Sequence, residues 1–211
     1  MASQRLTFID ILRGIACIWM IETHAVNAFL DSAFKGNTLF NILQISNGFV
    51  AVAFILCAGA GFRLALESKI SDYMTFQKPF WTYVRRLLFI LVIGYSLQPP
   101  RFSFGSMLQF NEGQWTRFLD CNVLQLIVAS SFIALLGLLL TRSLSRMIIF
   151  AWCAFLFIGV FTPLVWSIDP TVIAQIPLFF RMYVTTYPHA SFPLFPWSVY
   201  YFAGYIITHY F

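Results

Sequence analysis

The sequence predicts an all-α fold, a polytopic transmembrane helix bundle, on three observations. Of 211 residues, 60% are apolar, 19% aromatic and only 10% charged, against about one quarter charged in soluble domains. Mean hydropathy is +0.79. The apolar residues come in continuous runs that do not alternate, which argues for helices over a barrel and lets each segment satisfy its own backbone groups in lipid. A soluble monomer, a disordered or collagen-like chain and a small disulfide-stapled scaffold are excluded.

The runs fall at 11–30, 48–66, 87–97, 123–140, 147–168 and 195–211, giving about five full spans plus a truncated sixth at about 20 residues per crossing. The first follows Arg5, is interrupted early by Asp10 and Arg13, and has no small-residue cleavage site after it. It reads as a retained span and not as a leader. The third has a short core stopped by Pro99-Pro100, and needs the amphipathic lead-in 80–86 to cross. The last starts at Pro196-Trp197, where proline suits a first helical position and tryptophan an interface. It reaches Phe211 with no polar flank, so residues 1–211 read as a single membrane domain that is incomplete at its C-terminus. The segments 31–47, 99–122 and 169–194 are expected to be loops. In the last of them, 173–184 is apolar but short among Pro170, Pro177, Pro188 and Pro193, which fits a re-entrant or interfacial piece.

A net charge of +5 is first a matter of topology. Arg5, Arg63, Lys69, Lys78, Arg85, Arg86, Arg142 and Arg146 fall on one side of this threading, and Lys35, Arg101, Arg117 and Arg181 on the other. The basic side is the inner one, so the N-terminus is expected in the cytoplasm of a plasma or inner membrane. No basic run interleaved with aromatics occurs, which sets nucleic acid aside. Cys17, Cys57, Cys121 and Cys153 form no CxxC pair and read as small hydrophobes, with no metal site expected.

The first span concentrates polar groups: Asp10, Arg13, Glu22, His24 and Asn27. On a helix the step from Arg13 to His24 is three turns plus about 20°, or about 16 Å along the axis. The two share a face with Asp10 and Asn27, Asp31 stands above Arg13, and Glu22 points the other way. Ionisable groups inside a membrane usually face a bundle interior or a water-filled cavity. A guanidinium low on the stripe suits a phosphate-bearing donor from the cytosol, with Arg85 and Arg86 on the same side. An imidazole higher up suits proton transfer from a hydroxyl or amine acceptor. Plainer roles stand beside these: Arg85 and Arg86 as positive-inside anchors, Arg13 paired with Asp10, His24 as a helix contact, and Glu22 as a partner for another helix. At the outer end, Asp120, Asn122 and Gln125 near Trp115 and Phe118 could read sugar hydroxyls, though polar helix contacts explain them equally. His189 and His209 read as loop and terminal residues. Gly59 and Gly61, among Ala58, Ala60 and Ala65, read as close helix packing.

The stretch Ile9-Asp10-Ile11-Leu12-Arg13-Gly14-Ile15-Ala16, continuing to His24 with ten residues between arginine and histidine, resembles the first span of the membrane acyltransferase-3 superfamily. Phe54 to Gly59 is similar to that family's second span, with Ala58 where serine is common, and Tyr83 to Leu88 is similar to its basic entry to the third. Val123-Leu124-Gln125, Phe192 to Trp197 and Phe202-Ala203-Gly204 resemble the heparan-alpha-glucosaminide N-acetyltransferase branch. The resemblance implies transfer of an acyl group, usually acetyl, from cytosolic acyl-CoA (acetyl-CoA) to a glycan or related acceptor at the far side. It implies a catalytic role for His24, a donor-binding or structural role for Arg13, and donor-side roles for Arg85 and Arg86. Asn27, Asp31, Asp120 and Gln125 are the expected acceptor-binding residues. The rival readings are a proton-coupled transporter and an inactive, truncated bundle.

Overall fold

The computed structural model describes residues 7–99 and 104–211. Arg5, Pro100 and Arg101, which entered the reading above, lie outside the described residues. Helix α1 (Thr7–Phe29) is followed by a 3-10 turn (Ser32–Phe34), then α2 (Thr38–Met74), α3 (Lys78–Ser96), α4 (Phe104–Met107), α5 (Glu112–Phe118), α6 (Val123–Thr141), α7 (Leu144–Trp166), α8 (Pro170–Ile173), α9 (Leu178–Val184) and α10 (Leu194–Tyr210). No strand occurs among the described residues. Among the described residues three helices, α2, α6 and α7, are long and apolar enough to cross a membrane. The other three long helices that were expected to span fall short of this: α10 has 17 residues, and α1 and α3 carry charged side chains within their length.

Two expectations change. The loop expected at 31–47 is mostly helix, because Asn37 caps α2 by accepting from Phe40 N at 2.7 Å. The resulting 37-residue helix is about 55 Å long and overshoots a hydrocarbon core of about 30 Å. The apolar piece 173–184 is two short helices, α8 and α9, divided by Pro177 at the start of α9.

Helix α10 sits at the centre, packed on α2, α7, α6 and α9, with Tyr201, Phe202 and Tyr205 fully buried. Its crossing with α2 is backbone on backbone. A Cβ on Gly59 would lie 1.8 Å from the Tyr201 carbonyl oxygen, and one on Gly204 would lie 2.0 Å from that of Leu56. Without side chains at these two positions the helices approach closely, as small residues permit in membranes. The expected packing role of Gly59 therefore has a definite partner.

Long helices that follow one another in the chain run antiparallel: Trp19 meets Asn47, Phe62 meets Tyr83, Gly94 meets Gln125 and Gly137 meets Phe150, and Trp152 meets Tyr210. This up-and-down order brings Arg13, Arg63, Lys69, Lys78, Arg85, Arg86, Arg142 and Arg146 towards one end of the bundle. The α6–α7 turn there is tight, with Arg142 in the left-handed region at φ 53°.

Helix α1 packs at the edge of the bundle, against α2. Ile9 and Ala16 are its buried residues, and Ile9 clusters with Cys57 and Ala60 of α2. Ile11, Ile15, Ile18 and Ile21 point outwards, Ile18 being 73% exposed.

Candidate functional site

Because α1 runs unbroken from Thr7 to Phe29, its periodicity places Arg13, His24 and Asn27 on one face. All three are exposed, beside the strip that α1 buries on α2. The Arg13 guanidinium lies along α2: its Nη2 is 3.4 Å from the place a Cβ on Gly61 would take. Gly61, read from the sequence as helix packing, thus faces an arginine side chain.

One turn above His24 the face is braced. Gln44 Nε2 donates to Asn27 Oδ1 at 2.8 Å, and Lys35 Nζ donates to the Asn27 carbonyl oxygen at 3.0 Å. That carbonyl is in the last turn of α1, where helix geometry leaves acceptors unfilled. Asp31, just past the helix end, accepts from Ala33 N at 2.9 Å through Oδ1. Glu22 faces away from His24, and its Oε2 is buried with no hydrogen-bond partner. Near it, Trp19 Nε1 donates to Asn47 Oδ1 at 3.2 Å.

At the level of Arg13 the structure adds a group that the sequence reading counted only for its charge, at a helix end. Arg63 is 7% exposed. Its Nε donates to His209 Nδ1 at 3.3 Å, and its Nη1 lies 3.0 Å from Glu67 Oε1. The angle of that ion pair leaves Nη1 without a hydrogen bond. His209, expected to be a mere terminal residue, is therefore an acceptor for a buried cation. Arg85 and Arg86 are exposed on α3, two and three residues past Tyr83, whose ring meets Phe62 beside Arg63 at 5.7 Å. Arginines from α1, α2 and α3 thus occupy neighbouring levels.

Asp120 and Gln125 belong to a different cluster. Both Asp120 oxygens are occupied by Ser191, by its N at 2.8 Å and its Oγ at 2.6 Å. Gln125 is fully buried and donates to Gln98 Oε1 at 3.1 Å, while Gln98 donates to the Asp120 carbonyl oxygen at 2.8 Å. These bonds tie the ends of α3 and α6 to the segment before α10. Asn122 caps α6 by accepting from Leu124 N at 2.9 Å. Trp115 and Phe118 pack on each other and on Phe110 and Tyr95. Next to Asp120, burial and that carboxylate push the Cys121 thiol far above its ordinary range, which keeps it protonated and unreactive. No group of three metal-ligating side chains occurs among the described residues.

The structure is thus an all-helical bundle in which three of the described helices are long and apolar enough to cross a membrane, with an arginine and a histidine exposed on one face of α1. The family model described as heparan-alpha-glucosaminide N-acetyltransferase, catalytic, matches residues 5–211, and the chain belongs to that family. No curated protein and no solved structure matches it.

Proposed function

We propose that this chain carries the reactive helix of a membrane acyltransferase that moves an acetyl group from cytosolic acetyl-CoA to a hydroxyl or amine of a glycan or similar acceptor on the outer side. The observation that carries this reading is the single face of α1 on which Arg13, lying against Gly61 of α2, and His24 are both exposed. Membership of the N-acetyltransferase family supports it.

In the proposed reaction His24 accepts the proton of the acceptor as its oxygen or nitrogen attacks the thioester carbonyl. The carbon–sulfur bond then breaks, and the departing CoA thiolate takes that proton back from the imidazolium. Arg13, with Arg85 and Arg86 on the same inner side, binds the phosphates of the donor through charge-assisted hydrogen bonds. Asn27 contacts the acceptor through its Nδ2 donors, its Oδ1 being engaged by Gln44. Asp31 lies just beyond. Gln125, with no exposed surface, and Asp120, with both oxygens engaged, serve the acceptor indirectly by holding the outer layer in place.

The test is acetyl transfer from labelled acetyl-CoA by the full-length protein in liposomes. His24→Ala is expected to lower turnover at least about a hundredfold, in keeping with the contribution of a positioned acid–base group, while the protein stays folded. Undiminished turnover in that variant would reject the assignment. Solute flux that proceeds without acyl-CoA would favour the transporter reading.

A further inference from the structure

The reaction as proposed leaves one buried cation unused. Arg63 is 7% exposed, far below the ordinary exposure of an arginine, and a charge in such a setting needs well-aligned partners to offset its desolvation. It has one aligned partner. Nε donates to His209 Nδ1, which fixes that ring as the neutral tautomer protonated at Nε2. Nη1 is buried and makes no hydrogen bond. Glu67 reaches it from the same helix, one turn on, at 3.0 Å but badly angled, and is itself 44% exposed. The planar fork of a guanidinium is matched far better by phosphate oxygens than by a carboxylate held at a poor angle. Glu67 lies on the solvent side of the pair, so a change of its rotamer opens Nη1 towards the inner end of the bundle, at the level where Arg13 lies against Gly61.

We infer that Arg63 is a further phosphate-binding residue for the donor, held in place by His209, and that Glu67 occupies the position a donor phosphate takes on binding. This rests on the acyl-CoA reading above. Exchange of Glu67 for phosphate makes Glu67 a competitor of the ligand, so removing its charge strengthens donor binding. A purely structural ion pair gives the opposite sign.

The experiment measures displacement of a fluorescent CoA from the full-length protein by CoA and by pantetheine, which lacks the phosphates. For R63Q the account expects CoA binding weakened about tenfold or more, as for loss of a charge-assisted hydrogen bond, with pantetheine binding unchanged. For E67Q it expects CoA binding several-fold tighter. CoA binding by R63Q equal to that of the parent, an equal loss of CoA and pantetheine, or weaker CoA binding by E67Q would each overturn the inference. If R63Q does not fold, the direction of the E67Q change decides alone. Failure of the parent protein to bind CoA would overturn the donor reading and this inference together, whereas failure of the inference alone shows only in the variants.

Discussion

At the scale of single residues, the chemistry depends on what each polar group in the bundle touches. The Arg13 guanidinium lies at contact distance from where a Cβ on Gly61 would sit, so a branched side chain there reaches into its place. Gly61→Val is therefore expected to displace the guanidinium, raising the KM for acetyl-CoA several-fold with a much smaller effect on kcat, as steady-state kinetics would show. Asp120→Ala removes two bonds to Ser191 and, these being solvent-exposed, is expected to cost about 1 kcal/mol of stability. Thermal unfolding measures that loss, and CoA binding should stay unchanged. The spacing of Arg13 and His24 within one helix was legible in the sequence, because helix periodicity alone fixes which residues share a face. The bond from Arg63 to His209 was not. It joins residues 146 positions apart, and nothing local distinguishes such an arginine from an ordinary anchor at a helix end.

At the scale of elements, the α2–α10 crossing carries the packing. The near contacts at Gly59 and Gly204 are with backbone atoms, which cannot rotate away as a side chain can. Gly59→Leu is expected to separate the helices and cost more than the roughly 1–3 kcal/mol of ordinary overpacking. Gly48→Ala on the same helix meets nothing within 4 Å and should leave the melting temperature within a degree or two of the parent. The six long helices were legible from hydrophobic runs, and the small residues of α2 pointed to close packing without naming α10 as the partner. The early start of α2 was missed because its first turns mix polar and apolar residues. A side-chain cap at Asn37 settled that boundary where hydropathy could not. Helices α4 and α5 were missed because they are too short for periodicity to register. Only the capping box of Asn111 and Gln114 announces the second of them.

At the scale of the whole molecule, the alternating direction of successive long helices gathers the basic residues at one end and the polar cluster of Gln98, Asp120, Gln125 and Ser191 at the other. If the basic end is cytoplasmic, a cysteine replacing Lys69 should react with an impermeant thiol reagent only from inside the membrane, and one replacing Lys35 only from outside. The charge count that supports this was readable in the sequence. The position of α1 at the edge of the bundle was not, since a hydrophobic run does not name the helices it packs on.

A charged and polar stripe on a helix that packs mainly on one neighbour is costly in lipid, so the account requires that face to meet water or protein instead. Cysteine scanning along α1 of the full-length protein, in a background without its four native cysteines, tests this most directly. Cysteines at positions 24 and 27 should react rapidly with a small hydrophilic thiol reagent and be shielded by CoA or acceptor, while those at positions 18 and 21 stay unreactive. Equal reactivity around the helix, or an inert position 24 beside a reactive position 18, would contradict the account.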